Sequence, residues 1–283
     1  MRAPALHFVA SGDLKLAVWE WPGEGPPLLF AHATGFHGRC WDHIVRHFPG
    51  RRTLALEFRG HGRSSIPAPP IPWPDFAQDV LAVARHFELH GAIGVGHSMG
   101  GHSLAAAAIA APGIFSALVL VDPVIMLRDY YHEPPPDASF IARRRNRFAS
   151  ADEMFERFHP RLPFSAWHPE ALRNYCDYAL RPDGDGFVLA CPPPLEAAIY
   201  ARCNAPENDL YGGMYRVTIP VTILRAGTVP TPGKFDLNAS PTSPAAAASF
   251  PNGRDVYLAD RNHYIPMESP ELVVQEIARG AGW

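Results

Sequence analysis

The residues best placed to do chemistry in this chain are Gly96-His97-Ser98-Met99-Gly100, a G-x-S-x-G pattern. An apolar run, 92–95, leads in and an alanine-rich run, 103–111, leads out. That order predicts a strand, a sharp turn and a helix. A serine in such a turn takes a strained backbone angle and presents its hydroxyl at the head of the helix. Glycines two residues to either side remove Cβ atoms that would collide with the neighbouring strand and helix. The free N–H groups of the helix N-terminus point at any oxyanion formed beside the serine. The predicted chemistry is nucleophilic attack by Ser98 on a carbonyl carbon.

The elements that must hold such a serine follow from the rest of the chain. Runs 6–10 and 14–21 read as an edge hairpin around the turn Ser11-Gly12-Asp13. Residues 22–27 read as a loop, and Leu28-Leu29-Phe30-Ala31-His32 as a strand buried on both faces. Residues 39–48 read as a helix burying Trp41, Ile44, Val45 and Phe48, followed by a strand at 53–58. The proline-rich 67–74 is a loop. Phe76, Val80, Val83, Ala84 and Phe87 then recur at helical spacing through Leu89. Beyond the serine, strands are expected at 117–121, 221–225 and 255–258, and a closing helix at 271–278. Between 127 and 216 the alternation of strand and helix stops and aromatic residues and prolines accumulate. Residues 228–248 read as a long loop with a weak alanine helix.

The stretch around Ser98 resembles the nucleophile elbow of the α/β-hydrolase superfamily. Three further segments extend the resemblance. His32-Ala33-Thr34-Gly35-Phe36 is similar to the superfamily's H-G-x-x-G loop, with Ala33 in place of the first glycine. By position it implies the N–H of Thr34 as an oxyanion donor, paired with that of Met99. The segment from Glu57 through Arg59-Gly60-His61-Gly62-Arg63-Ser64 looks like D-x-R-G-x-G-x-S, with Glu57 for the usual Asp. It is read as a structural turn beneath the elbow; no helix starts directly after its glycines, so it is no phosphate cradle. Asn262-His263-Tyr264, followed by Glu268-Ser269-Pro270-Glu271, is similar to the superfamily's terminal G-x-G-H and E-x-P-E tail. It implies His263 as the general base.

The resemblance covers nearly the whole chain except 127–216 and 228–248. It implies an α/β-hydrolase fold: a mostly parallel central sheet flanked by helices, with a helical cap insertion. The core would be 1–126 and 217–283, and the cap 127–216. The run Arg143-Arg144-Arg145-Asn146-Arg147 reads as a solvated helix face, with anion binding as the lesser reading.

The third triad member has three candidates. In most of the superfamily the acid follows the strand that ends here at Arg225, yet 226–235 contains no acidic residue. Asp122, at the tip of the strand after the elbow helix, occupies the family's second location and is the first choice. Asp236 is the second and Asp260 the third. Phe36, His97, Tyr130 and Tyr264 are the expected substrate-binding residues.

Composition narrows the function classes. The chain has 283 residues, 47% of them hydrophobic, enough for one large core. A formal net charge of -3 argues against nucleic acid, and no apolar run has the length of a membrane span. Residues 1–10 lack the basic start and apolar stretch of a signal peptide, so a cytoplasmic location is expected. Cys40, Cys176, Cys191 and Cys203 have no metal-type spacing and read as free thiols. His86 and His90 form an i,i+4 pair without an H-E-x-x-H pattern, so no metal is expected. No cofactor is implied, and monomer and dimer both stay open.

The expected activity is carboxylic-ester hydrolysis through an acyl-enzyme, on a hydrophobic, uncharged small molecule suited to an aromatic cap. Lactone opening uses the same steps. Carbon–carbon bond hydrolysis, cofactor-free dioxygenation and a non-catalytic ligand receptor are the alternatives. A peptidase reading lacks an acidic amine-binding cluster. Ser98 in place of Asp argues against dehalogenase or epoxide hydrolase chemistry.

Overall fold

A computed structural model describes residues 3–231 and 234–283; residues 1 and 2 of the N-terminal segment, and 232 and 233 of the 228–248 loop, lie outside it. The strands are β1 (Ala5–Ser11), β2 (Leu14–Trp21), β3 (Glu24–Ala31), β4 (Arg51–Leu56), β5 (Ala92–His97), β6 (Phe115–Val121), β7 (Arg147–Phe148), β8 (Leu180–Asp183), β9 (Gly186–Leu189), β10 (Val221–Ala226) and β11 (Gly253–Leu258). Among the described residues, eight of them form one sheet in the order β1-β2-β4-β3-β5-β6-β10-β11. The β1/β2 hairpin and the β2/β4 pair are antiparallel, and the remaining pairs are parallel. This is the α/β-hydrolase architecture, with β5 and the serine turn at its centre.

Successive side chains of a strand point to opposite faces, so a central strand covered on both sides must be apolar throughout. Leu29 and Ala31, Leu118 and Leu120, and Val221 and Ile223 face one core. Leu28 and Phe30, Val119 and Val121, and Leu224 and Ala226 face the other. The first core is covered by α1 (Pro74–His86) and α2 (Met99–Ala110), the second by the C-terminal helix α6 (Pro270–Gly280). Prolines open α1 and α6, where no intrahelical N–H bond is lost.

Several expectations change. Residues 24–27 belong to β3 rather than to a loop, with a register shift between Glu24 and Leu28. The 39–48 helix is only a 3-10 turn, Gly38–Trp41, and one α-turn, Asp42–Val45, although Trp41, Ile44, Val45 and Phe48 are all buried as expected. The alanine run near 245 yields a 3-10 turn, Ala247–Ser249. The segment 127–216 carries α3 (Ala151–Phe158), α4 (Pro169–Tyr178) and α5 (Pro193–Tyr200), but also a three-stranded antiparallel sheet, β7-β9-β8. Its aromatic core takes in Phe148, Trp167 and Tyr175 from this segment together with Phe36 and Tyr264. The four cysteines are buried and unbridged. His86 ends α1 and His90 lies beyond it, both exposed. No described helix is long and apolar enough to cross a membrane.

One buried ion pair ties the edge hairpin to the loop behind the site. Asp79 of α1 is fully buried. It accepts from Ser11 Oγ at 2.9 Å, from Arg59 Nε at 3.0 Å and from another Arg59 guanidinium nitrogen at 2.7 Å. Removing one member of such a pair strands the other charge. Asp79→Ala is therefore expected to lower the unfolding free energy by about 3–5 kcal/mol, and Ser11→Ala by about 1 kcal/mol. Urea unfolding checks both; an Asp79→Ala midpoint equal to wild type would remove this tie from the account.

Candidate active site

Ser98 stands between β5 and α2 with φ 56° and ψ -118°. Among described non-glycine residues positive φ occurs at Glu88, Ser98 and Asp122, so two of the three lie in this site. The turn needs its glycines for packing. A Cβ on Gly100 would lie 2.2 Å from the Ala31 carbonyl oxygen, and one on Gly96 2.7 Å from the Gly100 backbone. The Ser98 N–H donates to Val121 O at 3.0 Å, and Ser98 O accepts from His102 N–H at 3.1 Å.

His263 follows β11 and α6 lies behind it. Its Nε2 is 2.9 Å from Ser98 Oγ, and its Nδ1 is 2.7 Å from Asp122 Oδ2. A carboxylate only accepts, so Nδ1 carries the proton toward Asp122 and Nε2 is free to accept from the serine. The loop bearing His263 is pinned from four sides. Its N–H donates to Asn238 O at 2.9 Å. Its carbonyl accepts from His97 Nε2–H at 2.8 Å. Pro266 O accepts from His43 Nε2–H at 2.9 Å, and Met267 O from the His168 N–H at 2.7 Å. Asn262 Nδ2 donates to Glu268 Oε1 at 2.6 Å, which gives the Glu of the tail its place.

The structure brings Asp122, not Asp236 or Asp260, to the histidine. Asp236 accepts from the N–H and Nδ2 of Asn238 in its own turn, and Asp260 is exposed beside Arg261. Asp122 is fully buried. Its Oδ1 accepts from the Ala226 N–H at 3.0 Å and from Ser240 Oγ at 2.6 Å. The end of β10, where the superfamily usually keeps its acid, thus supplies a backbone donor instead, and the loop after it supplies a hydroxyl. Thr242 Oγ1 and the Ser243 N–H add bonds to Pro123 O and Ile125 O. Sequence reasoning missed Ser240. The only signal was a Ser/Thr-rich loop lying where an acid was missing.

Two N–H groups near Ser98, those of Met99 and Thr34, have no acceptor among the described residues. Met99 is the first residue of α2, so its N–H has no intrahelical acceptor. Thr34 Oγ1 donates to Met99 Sδ at 3.3 Å, which sets the two next to each other. Ala33, the departure from glycine, does not have positive φ; the left-handed residue of this loop is Gly35, φ +80°.

Histidines hold the loop from behind. His61 Nε2 accepts from the Gly35 N–H at 3.0 Å while its Nδ1–H donates to Arg59 O. His32 Nε2 accepts from the Phe58 N–H at 3.1 Å while its Nδ1–H donates to Ala33 O. Both rings must be neutral to accept. Burial lowers His61 to about 4 and puts His32 well below its ordinary range. Glu57 accepts from Trp19 Nε1 at 3.0 Å and from the Arg63 N–H at 2.5 Å, so it braces its turn as expected.

Of the expected pocket residues, Phe36 and Tyr264 are buried in the aromatic cluster, with ring centroids 6.4 Å apart. Trp167 and Tyr175 join them, at 5.8 Å and 5.3 Å from Phe36. His97 lies 6.0 Å from Phe36 and 4.9 Å from His263, bonded to the His263 carbonyl. Tyr130 is placed differently. It is 44% exposed on a short 3-10 turn that directs Tyr131 inward instead. The site is closed, with Ser98 3% exposed.

This geometry can move a proton from a serine to a histidine while two N–H groups receive a developing oxyanion. The profile of the alpha/beta hydrolase family matches residues 28–276. The chain belongs to that family. It is 25% identical over 287 residues to 2-(acetamidomethylene)succinate hydrolase of Mesorhizobium japonicum, covering 96% of this chain and 94% of the relative. It is 36% identical to lipase LipV of Mycobacterium tuberculosis over 214 residues, 74% of this chain and 69% of the relative. The crystal structure of E-2-(acetamidomethylene)succinate hydrolase superposes with a TM-score of 0.79 at 23% identity, covering 99% of this chain and all of that one, which shows the shared fold.

Two expectations follow for this alpha/beta hydrolase. Ser240→Ala removes one of the two donors that hold the Asp122 carboxylate in line with His263. We expect kcat to fall about tenfold with KM little changed. An unchanged kcat would mean that Ser240 only packs.

The second concerns stability. Burial lowers His32 and His97 well below their ordinary range, His43, His61 and His102 to about 4, and His37 to about 3. A histidine held neutral in the fold gives stability that is full above its unfolded pKa, roughly 6.5, and is lost as pH falls toward the folded value. Each contributes a slope of about 1.4 kcal/mol per pH unit within that window. Burial raises the carboxyls Asp42, Glu57, Asp79, Glu196 and Glu268, which pull the other way. The histidines outnumber them, so urea stability is expected to be lower at pH 5 than at pH 7. Equal stability at both would contradict neutral burial of the histidines.

Proposed function

We propose that this hydrolase cleaves small carboxylic esters by way of an acyl-enzyme, with Ser98 as nucleophile, His263 as general base and Asp122 as the acid. The observation that carries this reading is the relay from Ser98 Oγ to His263 Nε2, 2.9 Å, and from His263 Nδ1 to Asp122 Oδ2, 2.7 Å. As Ser98 Oγ bonds to the carbonyl carbon, its proton passes to His263 Nε2. Asp122 holds the tautomer and stabilises the imidazolium. The oxyanion takes the N–H groups of Met99 and Thr34, each worth about 3 kcal/mol of barrier. His263 then protonates the leaving alcohol. Water, deprotonated by the same ring, releases the acyl group.

The buried serine supports a small substrate, because the cap must enclose what it binds. A lipase among the relatives supports ester chemistry. The 2-(acetamidomethylene)succinate hydrolase among the relatives supports carbon–carbon hydrolysis as the second reading, on the same serine, histidine and aspartate. Phe36, Trp167, Tyr175 and Tyr264 would form the apolar wall against the substrate.

Hydrolysis of p-nitrophenyl acetate, butyrate and octanoate tests the proposal. Wild type is expected to prefer the short esters. Ser98→Ala and Asp122→Asn are each expected to lower kcat on the order of 10⁴-fold, and Asp236→Asn to leave it within twofold. A dead Asp236→Asn variant with an active Asp122→Asn would overturn the acid assignment. A wild type inert on all three esters would overturn the ester reading.

A further inference from the structure

The arginine run expected as a solvated helix face divides on folding. The helix before it ends at Ala142, and Arg147 joins β7. Arg145 pairs with Glu153, and Arg147 with Asp183 and Asp185, all at the surface. Arg144 turns inward instead and pairs with Glu196, in the first turn of α5. Glu196 is 2% exposed. Glu196 Oε2 meets one terminal guanidinium nitrogen of Arg144, while Arg144 Nε is buried without a hydrogen-bond partner, and among the described residues no acceptor other than Glu196 takes the guanidinium. A guanidinium offers five donors in a fork suited to a carboxylate, and this one, its side chain 32% exposed, keeps donors that no described protein group takes.

The pair sits against the oxyanion loop. A Cβ on Gly35 would lie 2.5 Å from Glu196 Oε1, so the carboxylate occupies room that only glycine leaves. Gly35 is the neighbour of Thr34, whose carbonyl accepts from Tyr200 Oη at 3.3 Å. A small cavity runs between this loop and the cap, lined by Gly35, Phe36, Arg144, Leu189, Ala190 and Cys191. We infer that Arg144 is the subsite for a carboxylate carried on the acyl portion of the substrate, and that Glu196 fills it when no substrate is bound. The substrate class is then a half-ester of a dicarboxylic acid, its free carboxylate at Arg144 and its scissile carbonyl at Ser98. This deepens the ester reading and rests on it for the reaction, though not for the binding.

The surroundings give the exchange a pH dependence. Tyr175 of α4, Cys191, Tyr200 of α5 and Tyr264 face the pair, and burial raises each of them, so they stay neutral. His61 from behind the loop is neutral for the reason given above. Arg181 is committed to the carbonyls of Gly62 and Ser64, and Asp236 is engaged by Asn238 in its own turn. Burial raises Glu196 to about 7, against the pull of Arg144. Below that pH Glu196 takes up a proton and leaves Arg144 for the incoming anion. Above it, Glu196 competes.

Rates on monoethyl succinate and ethyl pentanoate, with thermal shifts produced by free succinate, test this. In wild type the half-ester is expected to be favoured in kcat/KM by about 100-fold, with its KM rising above pH 7. Arg144→Gln is expected to collapse that ratio and to abolish the succinate-induced shift in Tm. Glu196→Gln is expected to lower KM for the half-ester about tenfold and to flatten its pH dependence. An unchanged ratio in Arg144→Gln, or no preference in wild type, overturns the subsite. If neither ester turns over yet succinate raises Tm only when Arg144 is present, the subsite stands and the ester reading falls.

Discussion

The closest approach in the molecule's centre is that of α2 to β3, where Gly100 meets the Ala31 carbonyl with no room for a Cβ. Everything else in the site is arranged around that contact. It forces the chain to leave β5 through a left-handed serine, φ 56°, and to enter a helix at once. The same approach sets the end of β3, and so Thr34, beside Met99. One packing constraint thereby brings the Ser98 hydroxyl and the residues Met99 and Thr34 into one neighbourhood. The cost of the strained serine, about 1–3 kcal/mol, is met by strands buried on both faces to either side.

A second left-handed residue, Asp122 with φ 44°, closes the arrangement from the next strand. The reach from β6 to a histidine beyond β11 crosses β10, and β10 ends in a donor rather than an acid. The Ala226 N–H and Ser240 Oγ both point at Asp122. Placing the carboxylate on the inner strand lets two neighbours fix it, whereas Asp236 spends its oxygen on its own turn. The long 228–248 loop therefore has a physical task, although its described residues form little regular structure. It carries Ser240 and the Asn238 carbonyl to the two sides of the Asp122–His263 pair.

Much of this was legible in the sequence, for identifiable reasons. Buried parallel strands are runs of apolar residues, and 92–97 or 117–121 cannot be read otherwise. The Gly96–Ser98–Gly100 spacing encodes a local constraint, so it survives translation into structure unchanged. What stayed hidden depends on contacts distant in sequence. Nothing near Ser240 announces Asp122, more than a hundred residues earlier. Tyr130 and Tyr131 are adjacent and alike, and only a 3-10 turn decides which one faces inward. Within 127–216 the short strands β8 and β9 interrupt the helices without the alternation that marks a long strand. The arginine run has four similar residues, and tertiary packing alone selects Arg144 for the interior.

The oxyanion loop illustrates how a departure from a familiar pattern is absorbed. Ala33 replaces a glycine, yet the left-handed turn falls at Gly35, so an alanine costs nothing at that position. The loop's geometry is set instead by acceptors behind it. His61 takes the Gly35 N–H, and His32 takes the Phe58 N–H while holding Ala33 O. Only a ring that is both donor and acceptor can do this, and only while it is neutral. Burial supplies that condition by making the charged form unfavourable. Asp79 and Arg59 complete the chain of support, since Arg59 O is the acceptor that fixes the His61 tautomer. The 32–36 loop is thus held by a path that runs from the buried ion pair, through a neutral histidine, to its backbone.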